Sequence, residues 1–85
     1  MQLEEFISPA EMPKYTGNAY STNYADVKDG LLPPPVKTRG RSSGWVAREV
    51  AAVQKARIAG KTEDEIKELV RQLVLQRQDQ PELAQ

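Results

Sequence analysis

Thr16-Gly17-Asn18-Ala19-Tyr20-Ser21-Thr22-Asn23-Tyr24-Ala25-Asp26-Val27-Lys28-Asp29-Gly30 is the stretch on which the reading of the fold turns. Thr16-Gly17-Asn18 ends one helix, with Gly17 suited to a left-handed C-terminal position. A second helix starts near Ser21-Thr22 and runs to Lys28-Asp29, with Gly30 as its stop signal. Two short helices around a glycine-containing turn are the outline of a helix-turn-helix. The second helix is unusually polar, because Tyr20, Ser21, Thr22, Asn23, Tyr24, Asp26 and Lys28 leave only Ala25 and Val27 as plain core candidates. So polar a helix is hard to justify by packing alone, which points to a surface that touches a partner.

Upstream, Leu3, Phe6 and Ile7 are expected to supply apolar anchors, and Ser8-Pro9-Ala10-Glu11 reads as a helix start. Ser8 is the expected N-cap, Pro9 the first helical residue and Glu11 the closing member of a capping box. Pro13 lies four residues after Pro9, so this helix should be short or distorted. Downstream, Pro33-Pro34-Pro35 cannot be helix or central strand, since proline has no amide donor and a fixed φ. Val36-Lys37-Thr38-Arg39 and Ser42-Ser43-Gly44-Trp45-Val46 then flank Gly40-Arg41 as a β-hairpin with a basic tip, either a wing or a brace for the helices.

From Val46 the period becomes helical, with Val46, Val50 and Val53 on one stripe and Gly60 as the stop. Thr62-Glu63-Asp64-Glu65 forms a second capping box, with acids in the first turn that suit the helix dipole. The helix it opens carries Ile66, Leu69, Val70 and Leu73 on one apolar stripe, which either closes the protein's own core or serves a partner copy. Residues 1–60 are thus expected to form a winged helix-turn-helix domain, 61–79 a C-terminal amphipathic helix and 80–85 a disordered tail. The fold class is mostly α with a small β-hairpin wing.

An 85-residue chain holds one domain with a compact core. It has no cysteine and no histidine, which excludes a disulfide framework, the usual Cys/His zinc site and Cys–His or Ser–His catalysis. Glu63, Asp64, Glu65 and Glu68 crowd one helix start and are not an acid–base pair in a cleft, and no glycine-rich phosphate loop is present. No enzyme, metal or cofactor is expected. The absence of a long apolar run or a basic-then-apolar leader predicts a cytoplasmic location with no membrane partner.

The net charge is zero but unevenly spread. Residues 1–30 carry a balance of −3, residues 31–60 one of +5 and residues 61–85 one of −2. A basic middle between acidic ends suits phosphate binding. Asn23 is the expected bidentate reader of an adenine, with Tyr20, Ser21, Thr22, Tyr24 and Lys28 on the same helix contacting phosphates or base edges. Arg39 and Arg41 can enter the adjacent minor groove, with Lys37 over a phosphate. Trp45 is expected to anchor the core where the hairpin meets the next helix.

The order of these signals resembles a known family. Thr16-Gly17, Ser21-Thr22 with Tyr24, and Lys28-Asp29-Gly30 are similar to a TG turn, an ST-x-Y helix and a K-E-G stop. Leu32-Pro33-Pro34-Pro35-Val36-Lys37 resembles F-P-x-P-V-K, and Gly44-Trp45-Val46 followed by Glu49-Val50 resembles G-W-L-x-x-E-V. The pattern, over about residues 3–59, is that of AlpA-type phage regulators and excisionases, within the MerR-like winged-helix group. It departs at Tyr20 and Asn23, which stand where the family usually has a basic residue and a leucine.

The resemblance implies that the helix after the TG turn reads double-stranded DNA and that the hairpin is the wing. It also implies a role at attachment sites or promoter repeats, as an excisionase or transcriptional regulator with an integrase as partner. A lone domain of this size reads few base pairs, so self-association on DNA is expected. The location implied is the nucleoid of a bacterial host. A small phage-encoded adaptor that binds a partner protein through the helix from Thr62 is the alternative reading.

Overall fold

The computed structural model describes residues 3–78. In chain order these form β1 (Phe6–Ile7), α1 (Met12–Thr16), α2 (Tyr20–Lys28), β2 (Val36–Arg39), β3 (Ser42–Val46), α3 (Ala47–Ile58) and α4 (Glu63–Gln78). The expected tail 80–85, and residue 79 at the expected end of the last helix, lie outside the described residues. The described chain is mostly helical, with a small antiparallel sheet of strand order β1-β3-β2.

The hairpin falls where the glycine turn places it, with Val36 opposite Gly44 and Lys37 opposite Ser43, and a register shift between Lys37 and Arg39. The third strand was not read from the sequence. Phe6 pairs with Val46 and Ile7 with Trp45, so the lead-in is sheet. A two-residue strand has no visible alternation, and only its neighbour reveals it. Gly44 makes room for it. A Cβ there would stand 3.2 Å from the Ile7 carbonyl oxygen and 3.3 Å from the Phe6 Cβ, so a side chain at this position would push β1 away.

Two expectations about the N-terminal segment need correction. Only Ile7 is buried, whereas Leu3 is 89% and Phe6 50% exposed, so those two are not core anchors. The helix also begins later than the Ser8-Pro9 signal indicates. Ser8 and Glu11 do meet, the Ser8 hydroxyl donating to Glu11 Oε1 at 3.3 Å, but they close a turn ahead of α1. α1 then starts at Met12 with Pro13 in its first turn, where the missing amide has no helical partner to lose. The distortion foreseen from two prolines four apart is resolved by giving each its own turn.

The core has two parts. Ile7, Met12, Leu32, Trp45 and Val50 form one cluster beneath the sheet, and Val53, Ile66, Val70 and Leu73 form the other between α3 and α4. The Trp45 indole is 1% exposed, and its Nε1 donates to the Pro33 carbonyl at 2.7 Å. α4 begins with the capping box read from Thr62. The Thr62 amide donates to Glu65 Oε1 at 2.8 Å, and the Glu65 amide to Thr62 Oγ1 at 3.2 Å. These bonds hold the Glu65 carboxyl below its ordinary range. Farther along the helix, hydrogen bonds from Arg71 and then Gln72 hold the exposed Glu68 carboxyl down to about 2.

The stripe on α4 therefore closes the protein's own core. Ile66 is 3%, Val70 6% and Leu73 8% exposed, and Leu69 packs half-buried against them. The alternative in which these four residues face a partner is corrected by their burial. The sheet and the two short helices α1 and α2 leave Val53 of α3 to be covered by Ile66, Val70 and Leu73 of α4.

Candidate nucleic-acid interface

α2 turns one face to the core and the other to solvent. Its inward side consists of Asn23, with Asp26 and Val27 half-buried beside it. Tyr20, Ser21, Thr22, Tyr24, Ala25 and Lys28 are exposed. The N-cap is Ala19 and makes no side-chain bond to the helix, so the first amides of α2 receive no cap from the chain. Free amides at a helix start favour an anion.

The assignment of Asn23 as a base reader is overturned. Its side chain is 1% exposed, and its Oδ1 accepts from the Thr16 hydroxyl at 2.9 Å. Ala25, expected in the core, is exposed instead. Asn23, Asp26 and Val27 share one side of the helix at i, i+3 and i+4 spacing, and Ser21, Ala25 and Lys28 lie on the opposite, exposed side. Its Nδ2 is buried without a hydrogen-bond partner among the described residues.

A buried unmet donor costs about 1–3 kcal/mol, whereas an apolar replacement of similar shape costs little. Thr16 keeps a second acceptor, the Met12 carbonyl at 3.2 Å, when Asn23 is replaced. Asn23→Leu is therefore expected to stabilise the protein by about 1 kcal/mol in urea titrations. It should leave any ligand affinity unchanged; a destabilised variant, or one that loses binding selectively, would restore Asn23 as a functional group.

Tyr20 and Tyr24 lie one turn apart with ring centroids 5.1 Å apart, and Tyr24 meets Trp45 edge-on at 5.2 Å. The buried indole thus backs the outer tyrosines and restricts how α2 rolls over the sheet. The Tyr24 hydroxyl is raised above its ordinary value, chiefly by partial burial and then by Tyr20, while a hydrogen bond with Ser43 opposes the shift. It stays protonated and able to donate to an anionic oxygen.

Between α2 and the hairpin runs an open groove of about 550 Å³, with Tyr20 and Tyr24 on one wall and Thr38, Arg41, Ser42 and Ser43 on the other. The fold thus brings Tyr20, Tyr24 and Arg41 together. Ser21, Thr22, Lys28, Lys37 and Arg39 are exposed but lie outside its walls. Sequence reading missed Ser42 and Ser43 as lining groups, and also Phe6, Ser8, Pro9 and the acidic Glu11 of the N-terminal segment. Ser42 and Ser43 were legible in principle, since they follow a basic turn at hairpin spacing; Phe6 was not, because its strand is two residues long.

The basic middle of the chain divides by role. Arg48 pairs with Glu4 at 3.3 Å, and Arg57 with Asp26 at 3.9 Å. Among the described residues Lys28, Lys37, Arg39 and Arg41 enter no salt bridge. The described residues also contain no acidic cluster able to hold a metal, and no helix long and apolar enough to cross a membrane.

Over 58 residues, 68% of this chain, the sequence is 34% identical to the uncharacterized protein ORF88 of Enterobacteria phage P4. The chain is similar to a phage protein. The aligned stretch spans 66% of that relative. No protein-family model matches the chain, and no solved structure matches it.

Proposed function

We propose that the protein is a sequence-specific DNA-binding protein of a phage or mobile element, a winged helix-turn-helix that serves excision, transcription or both. The observation that carries this reading is the open groove bordered by the exposed polar face of α2 and by the hairpin with its basic tip. A helix in the major groove and a hairpin in the adjacent minor groove must straddle one sugar-phosphate strand. The groove between α2 and the hairpin offers that strand the hydroxyls of Tyr20, Tyr24, Ser42 and Ser43 together with the Arg41 guanidinium. Similarity to a phage protein favours the same setting.

In this reading Ser21, Thr22 and Lys28 take the outward positions that face base edges and phosphates. The uncapped amides of α2 add to the phosphate contacts. Arg39 enters the minor groove, where negative potential favours arginine, and Lys37 sits over a phosphate. The protein binds and does not catalyse. One domain of this size reads few base pairs, so useful specificity calls for several copies on repeated sites, with an integrase beside them where the DNA is an attachment site. The adaptor alternative loses its proposed surface, because Ile66, Val70 and Leu73 are buried.

The test is binding to DNA flanking its own gene and a neighbouring integrase gene across a salt series. If about four phosphates are neutralised, log affinity falls against log salt with a slope near −3.6. Arg39→Ala combined with Arg41→Ala should flatten that slope by up to about 2. Ser21→Ala with Thr22→Ala should instead reduce discrimination between sites. Binding no tighter to any such fragment than to unrelated DNA would overturn the reading.

A further inference from the structure

We propose that Arg77 is a positioning residue, through which the last turn of α4 sets the placement of the hairpin. Pro33-Pro34-Pro35 leads into β2 without a single backbone donor. The polar hold on this segment must therefore run through its carbonyls. Two consecutive carbonyls are held by side chains of different elements. Pro33 accepts from Trp45 Nε1 at 2.7 Å, and Pro34 from Arg77 Nη2 at 2.9 Å.

The same guanidinium grips Glu49, with Nε to Oε2 at 2.8 Å and Nη2 to Oε1 at 2.5 Å. Glu49 lies in the first turn of α3, three residues past the end of β3. One planar fork thus joins α4, the start of α3 and the root of the hairpin. The Glu49 side chain is 1% exposed and that of Arg77 22%, so the pair is withdrawn from water.

A buried ion pair is a poor source of stability compared with apolar packing of the same volume. What an apolar pair cannot supply is a directed donor to the Pro34 carbonyl. The distal hairpin has irregular register between Lys37 and Arg39, so its direction is set at the root. α4 therefore governs how Arg39 and Arg41 are presented, although it lies outside the groove.

Arg77→Lys separates this role from simple core support. Lysine keeps a positive charge for Glu49 but lacks the rigid fork that holds a carboxylate and a carbonyl together. Arg71→Lys, at the exposed pair with Glu68 on the same helix, is the control. Amide hydrogen exchange should rise about tenfold in residues 36–46 of Arg77→Lys, the worth of one charge-assisted hydrogen bond, with α3 unchanged. The control should match the wild type. A uniform rise throughout the molecule, or an unchanged hairpin, would overturn the proposal.

The functional arm rests on the DNA-binding reading. Affinity for the target site should fall about tenfold in Arg77→Lys with the salt slope unchanged, because the number of charges is the same. Unchanged affinity in a variant with a loosened hairpin would remove the functional role of Arg77. If the wild type binds no DNA specifically, the DNA reading fails, and the exchange measurement still decides whether α4 places the hairpin.

Discussion

Trp45→Ala should unfold the protein or bring it close to unfolding. Removing a buried aromatic side chain costs about 3–5 kcal/mol, of the same order as the whole stability of many small domains. The indole is 1% exposed and packs with Ile7, Met12, Leu32 and Val50, so its loss opens a void that touches β1, α1, the proline segment and α3 together. It also takes the donor from the Pro33 carbonyl and the backing from Tyr24. Thermal melts followed by circular dichroism should show a midpoint at least about 12 °C lower, if a transition remains. Trp45→Phe should cost less, because it keeps the aromatic packing and forfeits mainly the Pro33 bond. A Trp45→Ala midpoint within a few degrees of the wild type would mean that the indole does not organise the core.

Arg77→Met carries the second large expected effect. Truncating one partner of a buried ion pair costs about 3–5 kcal/mol, because the other charge is left without compensation. The asymmetry in exposure predicts which partner matters more. Glu49 is almost fully buried and cannot regain water, whereas Arg77 retains an edge to solvent and the Pro34 carbonyl as an acceptor. Arg77→Met should therefore destabilise the protein more than Glu49→Gln. The double variant Glu49→Leu with Arg77→Met should recover most of the loss, since a packed apolar pair replaces both charges. Urea midpoints of the wild type, Arg77→Met, Glu49→Leu and the double variant measure the coupling. Additive losses would show that the two side chains do not depend on each other, contrary to their geometry.

Much of the architecture was legible in the chain because the signals are local. Gly30 and Gly60 mark helix stops, Thr62 with Glu65 marks a start, and Gly40 between two short extended runs marks a turn. The structure places α2, the hairpin, α3 and α4 near these marks. Ser8 with Glu11 shows the limit of such signals. The side chains meet as a capping box would have them meet, yet the backbone makes a turn and the helix follows.

The candidate site was only partly legible. That α2 is polar could be read from composition, but which of its residues face outward could not. Asn23 looked like the best reader because of its chemistry, and the packing of α2 against the core turned it inward. Tyr20, Tyr24 and Arg41 were each singled out, but their meeting across one groove depends on how the sheet docks against α2.

By itself the sequence determined the helix ends marked by glycine, the capped start of α4, the basic hairpin, the amphipathic last helix and the lack of cysteine and histidine chemistry. These follow from backbone preferences and side-chain types, which act within a few residues. Only the tertiary structure decided that Phe6–Ile7 is a strand, that Asn23 is buried, that the α4 stripe serves the protein's own core and that Arg77 reaches both Glu49 and Pro34. Each of these depends on contacts between residues far apart in the chain, and no local preference encodes the partner a side chain will meet.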